Sequence, residues 1–291
     1  MTTPPLDLPG GTWTLGDRTV TRFGYGAMQL TGPGVMGEPA DRDGALAVLS
    51  AAVDVGVTHI DTSGAYGPHV VDRLIREALH PYPTDLVVAT KVGAERDAAG
   101  GWPTARTSDQ LRAQVDEDLE TLGVDSLDLV HLRLGDASGP VEERIGEAFA
   151  TLVDLQGQGL VRHLGVSNAT ADQVAEARGI GAVVAVQNMY NVAVRHDDAL
   201  LDALAADGIA YVPFFPLGGF SPVQSAALSA VAERRAATPM AVALAWLLQR
   251  SPNVLLIAGT SSVAHLRENA RGAELELTAA DVAELDGIAG R

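Results

Sequence analysis

Short runs of β-branched and aliphatic residues alternate with longer segments of helical periodicity along almost the whole chain, which is the pattern of repeated βα units. Strands are predicted at Phe23–Ala27, Val57–Asp61, Leu86–Lys91, Leu127–His131, Arg162–Ser167, Val183–Gln187, Ile209–Phe214 and Val254–Ala258. Helices between them are predicted at Asp41–Val55, Ser108–Leu122, Val141–Gln158 and Thr238–Gln249, with Ser108 as an N-cap. Eight such units without a linker predict one α/β domain, a single (β/α)8 TIM barrel over residues 1–291.

A short segment ahead of these units has a different pattern. The stretch TWTLGDRTV places Gly16 and Asp17 between two strand-like runs, which is typical of a β-hairpin. We predict an N-terminal hairpin over about residues 11–22, lying under the barrel as a plug.

Composition excludes several classes of function. The net charge of −17 and the lack of an arginine-rich stripe argue against a nucleic-acid partner. The absence of cysteine excludes disulfides, thiolate nucleophiles and Cys-ligated metals, and it fits a reducing compartment. The longest apolar stretch, near Ala241–Leu248, is too short to span a bilayer. We therefore expect a cytoplasmic protein that binds neither nucleic acid nor membranes, and we predict no metal site.

In a barrel of this type the catalytic groups lie at the C-terminal ends of the strands. Asp61 closes the second predicted strand, Tyr66 follows in the next loop, Lys91 closes the third strand and His131 closes the fourth. Lys91 is also the only lysine, because the other permanently cationic side chains are all arginines. Each residue alone has an ordinary structural interpretation, but four titratable groups at one rim predict a catalytic site.

The motifs DTSGAY, ATK and LVH, which carry these four residues, closely resemble the Asp, Tyr, Lys and His tetrad of the aldo-keto reductase superfamily. The resemblance continues through GVSN at Gly165–Asn168, VQNMYN at Val186–Asn191, PFFPLGG at Pro213–Gly219 and GTSSVAHLREN at Gly259–Asn269. It implies an eight-stranded βα barrel with an N-terminal hairpin, in agreement with the strand and helix pattern. It also implies reduction of an aldehyde or ketone by hydride from a nicotinamide cofactor.

The resemblance gives each of the four residues a role. Tyr66 would donate the proton to the substrate oxygen, and because a free phenol has a pKa of about 10, a fixed cation must stabilise the tyrosinate left behind. Lys91 would be that cation, held in place by Asp61, and His131 would position the carbonyl oxygen. Arginine would put a wide planar fork where a compact charge must fit.

The resemblance also implies a set of cofactor-binding residues. Ser167, Asn168 and Gln187 would bind the nicotinamide carboxamide, and Phe214 would stack on the nicotinamide, with Phe215 as the alternative if the alignment shifts by one residue. The complete predicted set is Gly26, Met28, Asp61, Ser167, Asn168, Gln187, Phe214, Pro216, Leu217, Gly218, Gly259, Thr260, Ser261, His265, Glu268 and Asn269.

The 2′-phosphate region departs from part of the superfamily. Where many members have a lysine and an arginine, this chain has Gly259 and His265, although Arg267 and Arg271 lie nearby in sequence. We still expect NADPH rather than NADH, because backbone amides and the hydroxyls of the GTSS motif can bind a phosphate.

The substrate site is predicted from the same motifs and two long loops. Its candidate residues are Met28, Tyr66, Trp102, His131 and Arg133. The segments GYGAMQLTGPG, YGPH and PFFPLGGF are most similar to a bacterial branch that includes pyridoxal reductases. Pyridoxal is therefore the first substrate to test, with other aldehydes and ketones open.

Two other functions remain as alternatives at this point. A strand-end lysine in a βα barrel can form a Schiff base, so an aldolase with Lys91 as nucleophile is one alternative. The neighbouring Asp61 argues against it, because a carboxylate favours the charged ammonium. The second alternative is a non-catalytic NADPH-binding regulatory subunit.

Overall fold

The computed structural model describes residues 8–135, 139–216, 218 and 225–289. Its first two strands, β1 (Thr12–Leu15) and β2 (Arg18–Thr21), form an antiparallel hairpin that turns at Gly16 and Asp17. Leu15 and Val20 of this hairpin are buried against the interior of the sheet that follows. The predicted N-terminal hairpin is therefore confirmed.

The hairpin closes one end of the barrel. Asp17 accepts hydrogen bonds from Arg162 and contacts His163, which lie at the start of a barrel strand. Arg18 donates to the carbonyl oxygen of Thr84, just before another strand begins. These contacts place the hairpin at the N-terminal ends of the strands, so the opposite end of the barrel is the one left for a site.

Eight parallel strands form the barrel, in the order β10-β3-β4-β5-β6-β7-β8-β9. The two outer strands meet where Tyr211 N donates to Asn253 O over 2.9 Å and Leu255 N donates to Tyr211 O over 2.9 Å. The strands are β3 (Phe23–Gly26), β4 (His59–Asp61), β5 (Val87–Val92), β6 (Leu127–Arg133), β7 (Val161–Ser167), β8 (Ala185–Gln187), β9 (Ala210–Tyr211) and β10 (Leu256–Ile257). The sheet thus closes on itself, as predicted.

Among the described residues, helices surround the sheet, one α-helix after each of the strands from β3 to β8 and two after each of β9 and β10. They are α1 (Arg42–Asp54), α2 (Val70–Leu79), α3 (Ser108–Leu122), α4 (Gly146–Gly157), α5 (Ala171–Arg178), α6 (Asp198–Ala206), α7 (Ala226–Arg234), α8 (Pro239–Arg250), α9 (Val263–Gly272) and α10 (Ala279–Asp286). In the described ranges, no helix is both long enough and apolar enough to cross a membrane.

The start of α4 was predicted five residues too early. Gln173 of α5 donates from its side-chain amide to the carbonyl oxygens of Val141 and Glu143, and Glu176 accepts from the backbone N–H of Gly146. Because these bonds to α5 hold the segment in a non-helical path, the helix begins only at Gly146.

Several other boundaries differ by smaller amounts. The N-cap of α3 is Thr107 and not Ser108, because Thr107 forms a capping box with Gln110 while Ser108 is already helical. The strands β9 and β10 are shorter than predicted, since only two residues of each pair in the ladder. The strands β5 and β6 continue past Lys91 and His131, to Val92 and Arg133.

Candidate active site

Lys91 and Asp61 form an ion pair inside the barrel. Lys91 lies on β5 and Asp61 on the neighbouring β4, and Lys91 Nζ donates to Asp61 Oδ1 over 2.6 Å. The same ammonium donates to the carbonyl oxygen of Thr62 over 2.8 Å. The side chains of Lys91 and Asp61 are 4% and 5% exposed. The two bonds fix the ammonium at one place.

The second carboxylate oxygen of Asp61 has a partner that the sequence did not indicate. Gln187, at the end of β8, donates from Nε2 to Asp61 Oδ2 over 2.7 Å. Asp61 is therefore held from both sides, by a cation and by an amide. Gln187 lies across the barrel from β4, so this bond joins opposite walls of the site.

Tyr66 lies in the loop between β4 and α2, with its ring next to the ammonium. Its backbone N–H donates to Ser63 O over 2.9 Å, which helps fix the turn that brings the side chain over the barrel. Lys91 Nζ is 5.1 Å from the centre of the Tyr66 ring. The other side of Tyr66 packs edge-on against Trp102, with ring centroids 6.4 Å apart.

The fourth predicted residue, His131, is completely buried on β6, directly beside Lys91 in the strand pairing. Neither ring nitrogen has a hydrogen-bond partner among the described residues. Burial lowers the pKa of His131 to about 4, and the Lys91 cation acts in the same direction while the Asp61 carboxylate opposes both. The imidazole is therefore neutral at pH 7, and no side chain of the described residues holds its nitrogens.

A glycine makes room for this imidazole. Gly165 pairs with His131 on the adjacent strand β7. A methyl group at residue 165 would meet His131 Nδ1 at 2.5 Å and Ala185 O at 2.7 Å. The glycine of the GVSN motif is therefore required by the close approach of the histidine ring.

The charge state of Lys91 follows from competing effects. Burial alone would lower its pKa, but the Asp61 carboxylate and Tyr66 act in the opposite direction, and the net result is a raised pKa. Lys91 is therefore an ammonium at neutral pH. A nucleophilic amine needs a lowered pKa, so the raised pKa of Lys91 disfavours the Schiff-base alternative.

A cavity of about 460 Å³ opens beside these residues, and Asp61, Tyr66 and Gln187 lie on its wall. It also contains most of the predicted cofactor residues. Those on the wall are Gly26, Met28, Asp61, Gln187, Phe214, Pro216, Gly259, Thr260, His265, Glu268 and Asn269. Lys91 and His131 do not line this cavity and are buried beside the residues that do.

Two glycines let backbone form part of the wall. A methyl group at Gly26 would meet Ile257 O at 2.6 Å, and one at Gly259 would meet Gly26 O at 2.7 Å. Side chains at these positions would push β3 and β10 apart or fill the space between them. The GYG and GTSS motifs therefore keep the cavity open at this point.

Some predicted residues lie elsewhere. Ser167 and Asn168 are buried at the end of β7, next to Gln187, and not on the cavity wall. Ser261 and Gly218 are described but do not line the cavity, and Leu217 lies outside the described residues. Trp102 packs against the ring of Tyr66, and Arg133 lies over the Trp102 ring.

The sequence did not predict several wall residues. Thr238 and Met240 at the start of α8 line the cavity, as do Gln29 and Ile257. Phe215, the alternative to Phe214, also lies on the wall, with the two rings edge-to-face at 5.4 Å. A helix over Thr238–Gln249 was predicted, but nothing in the sequence indicated that its start reaches the site.

The cavity ends at the N-terminus of α9. The helix begins after Ser262, whose hydroxyl accepts from His265 N, and Thr260 Oγ1 accepts from Ser262 N over 3.1 Å. Unpaired N–H groups at a helix start attract anions. Arg267 and Arg271 lie exposed on this helix. The donors and acceptors at this end suit a phosphate, and those at the other end suit an amide.

Comparisons with known proteins give one consistent result. The family model described as the aldo/keto reductase family matches residues 22–289. The chain is 56% identical to pyridoxine 4-dehydrogenase of Escherichia coli (strain K12), over 97% of this chain and 99% of that enzyme.

Two solved structures share the fold. A thermostable aldo-keto reductase in complex with the inhibitor epalrestat has a TM-score of 0.81 and 27% identity, covering 95% of this chain and 99% of that one. An aldo-keto reductase from Klebsiella pneumoniae in complex with NADPH has a TM-score of 0.79 and 22% identity, covering 99% and 95%.

Proposed function

The chain belongs to the aldo/keto reductase family, and from this premise we propose that it reduces pyridoxal or a similar aldehyde with NADPH, using Tyr66 as the proton donor. Membership makes the protein an oxidoreductase, and its family acts on small carbonyl compounds. The identity of the cofactor, the substrate and the residue roles are the proposal.

The observation that carries the proposal is the position of the Lys91 ammonium between Asp61 and Tyr66. A phenol gives up its proton readily only where the resulting phenolate is stabilised. Lys91 Nζ, at 5.1 Å from the Tyr66 ring centre and 2.6 Å from Asp61 Oδ1, supplies a fixed positive charge for that purpose. Tyr66 lies on the cavity wall, where a carbonyl oxygen would accept its proton.

Asp61 and His131 support Lys91 and Tyr66, the other two residues of the predicted tetrad. Asp61 fixes the ammonium and is itself held by Gln187, so the cation cannot turn away from Tyr66. His131 stays neutral at pH 7 because of its burial, and from its position beside Lys91 it would orient a carbonyl oxygen that reaches past the cavity wall. A protonated histidine would compete with Lys91 as a cation, so the low pKa keeps the two roles separate.

The residues of the cavity fit a nicotinamide dinucleotide. Gln187 uses Nε2 for Asp61, which leaves Oε1 to accept from a carboxamide N–H. Phe214 and Phe215 offer ring faces, and Gly26 and Gly259 keep space for a close approach of the cofactor. When bound, the nicotinamide supplies the hydride for the carbonyl carbon.

We favour NADPH over NADH because of the donors at the start of α9. Thr260 and His265 lie on the cavity wall near the helix N-terminus, with Arg267 and Arg271 farther along the same helix. These groups would balance the charge of a 2′-phosphate without the lysine and arginine that many family members carry. The NADPH complex of the Klebsiella pneumoniae protein is consistent with this choice.

Pyridoxal is the preferred substrate because of the Escherichia coli relative. Pyridoxine is the alcohol that reduction of pyridoxal yields, so a pyridoxine 4-dehydrogenase and a pyridoxal reductase catalyse the same reaction in opposite directions. The 56% identity extends over nearly the full length of both chains. We further propose that residues 1–291 form one domain and that the enzyme is cytoplasmic, on the basis of its cysteine-free sequence.

The experiment is a steady-state assay of NADPH oxidation with pyridoxal, simple aldehydes and ketones, repeated with NADH and, in reverse, with pyridoxine and NADP⁺. We expect pyridoxal to give the highest kcat/KM and NADPH to exceed NADH. Turnover of aldehydes but not of pyridoxal would refute the substrate, and equal use of NADH would refute the cofactor preference. Absence of any turnover would favour the regulatory-subunit alternative.

A further inference from the structure

Two arginines flank Trp102 at the edge of Tyr66. Arg96 Cζ lies 3.9 Å from the centre of the Trp102 ring, and Arg133 Cζ lies 5.0 Å from it. Trp102 in turn packs edge-on against Tyr66. The indole therefore brings two positive charges close to the proposed proton donor.

Neither arginine has a carboxylate partner within the described part of the chain. Arg96 donates to Gly34 O over 2.8 Å and to Met36 Sδ, while its Nη1 is buried without a partner. Among the described residues, the guanidinium of Arg133 contacts the Trp102 ring and has no carboxylate oxygen within 4.0 Å. Burial lowers the pKa of Arg96. The Asp97 carboxylate raises this pKa, while the Arg133 cation lowers it further. The two cations therefore repel each other with little compensation.

A minority of the arginines in the described ranges share this lack of a carboxylate partner, in a protein of net charge −17; the others are Arg22, Arg76, Arg267 and Arg271. Most arginines in the described ranges lie within 4.0 Å of a carboxylate oxygen. They are Arg18, Arg42, Arg73, Arg106, Arg112, Arg144, Arg162, Arg178, Arg195, Arg234, Arg235 and Arg250. Acidic side chains are abundant, yet the pair beside the active site has none at this distance.

The strand geometry directs Arg133 towards the substrate. Arg133 follows His131 by two residues on β6, and alternate residues of a strand point to the same face. His131 points into the barrel, so Arg133 occupies the next layer above it, at the open end. A substrate whose carbonyl meets Tyr66 would extend towards this layer.

We propose that Arg96, Trp102 and Arg133 form an anion subsite that selects carbonyl compounds carrying a negatively charged group. The inference rests on the proposed function and adds the substrate class. An anionic substituent would compensate the repulsion between the two guanidinium groups, each of which offers several N–H donors. A phenolate, a carboxylate and a phosphate share this chemistry, and the ionised 3-hydroxyl beside the formyl group of pyridoxal is one source of it.

The test uses substrates of similar shape and different charge. NADPH oxidation is measured with benzaldehyde, 4-carboxybenzaldehyde and 4-formyl-N,N,N-trimethylanilinium, for the wild type and for Arg133→Gln and Arg96→Gln. We expect the ratio of kcat/KM for the carboxylate to that for the neutral aldehyde to fall about tenfold in Arg133→Gln, which equals about 1.4 kcal/mol. Because the ratio of the two kcat/KM values is taken for each protein and then compared between proteins, intrinsic differences in aldehyde reactivity cancel.

Further variants separate local charge from general effects. Arg133→Lys should keep part of the preference, and Arg133→Glu should shift it towards the cationic aldehyde. Arg178→Gln is the matched control, because Arg178 lies in the last turn of α5, paired with Asp207, at the other end of the barrel. An equal change in Arg178→Gln, or an unchanged ratio in both Arg133→Gln and Arg96→Gln, would overturn the proposal. Comparison of pyridoxal with pyridoxal 5′-phosphate distinguishes a phenolate from a phosphate as the preferred anion.

A binding measurement keeps the two proposals distinguishable. Calorimetry with benzoate and benzamide requires no turnover. If no aldehyde is reduced but benzoate binds about tenfold more weakly to Arg133→Gln than to the wild type, with benzamide affected less, the proposed function fails and the anion subsite stands. If benzoate binds both proteins equally, the anion subsite is refuted, whatever the enzyme reduces.

Discussion

Lys91 Nζ donates to Asp61 Oδ1 over 2.6 Å, and both side chains are almost completely buried. Taking two charges out of water costs free energy that their attraction offsets only with good geometry. The chain retains this pair in the barrel interior and uses arginine for every other permanently cationic side chain. We infer that the site requires a compact ammonium at this point.

Replacement of Lys91 by arginine tests this requirement. The guanidinium keeps the charge but cannot occupy the same space with bonds to both Asp61 Oδ1 and Thr62 O. We expect Lys91→Arg to lose most of the kcat for pyridoxal, and Lys91→Met to lose at least as much. Circular dichroism should show both variants folded. Near-wild-type activity in Lys91→Arg would mean that charge alone suffices.

The space for His131 depends on Gly165. Since a methyl group there would meet His131 Nδ1 at 2.5 Å, Gly165→Ala should displace the imidazole and lower kcat by about tenfold or more, within the usual contribution of a positioned acid–base group. Gly157→Ala is the control, because a methyl group at that helical glycine meets nothing within 4 Å. If the two variants have equal kcat values, the close packing of His131 is not needed for the reaction.

Stacking on the cofactor should be assignable to one of two adjacent rings. We expect Phe214→Ala to weaken NADPH binding by about 1 kcal/mol or more, a typical value for aromatic stacking. Titration of NADPH by fluorescence measures the effect. If Phe215→Ala weakens binding and Phe214→Ala does not, the stacking residue is Phe215, since both rings lie on the cavity wall.

Acid should destabilise the protein through His131. The folded-state pKa of about 4 lies below the ordinary 6.5, so below pH 6.5 the unfolded chain binds a proton that the folded chain does not. The free energy of unfolding should therefore fall as the pH drops from 6.5 to 4, by up to about 3 kcal/mol for this residue. Urea unfolding at several pH values should show a shallower fall in His131→Asn. An identical fall in the variant would exclude His131 as a source.

The fold and the tetrad could be predicted from sequence because their signals are local. Strand and helix periodicities depend on neighbouring residues. The end of a strand marks one rim of the barrel, where we expected Asp61, Lys91 and His131 to lie together. The predicted boundaries were wrong where contacts with residues distant in sequence determine the end of a helix or strand. The start of α4 depends on Gln173 and Glu176 of the next helix, and short ladders in β9 and β10 depend on which residues face a partner.

The same distinction applies to the cavity. Residues inside motifs, such as Gly259 and Phe214, were found, while Thr238 and Met240 were missed because only the packing of α8 brings them to the wall. The bond from Gln187 to Asp61 joins residues 126 positions apart and has no local signal. Ser167 and Asn168 were placed on the cofactor by resemblance, yet they lie behind the wall in this structure.

The most direct test of the account is a comparison of Tyr66→Phe with the wild type in single-turnover NADPH oxidation with pyridoxal, together with the NADPH dissociation constant. Removal of one hydroxyl should abolish nearly all of the hydride-transfer rate, by about a thousandfold or more, because Tyr66 is the proposed proton donor and lies next to the Lys91 ammonium. The dissociation constant should stay within about threefold, since Lys91 and Asp61 remain paired. A Tyr66→Phe enzyme that reduces pyridoxal at a rate close to the wild type would contradict the account.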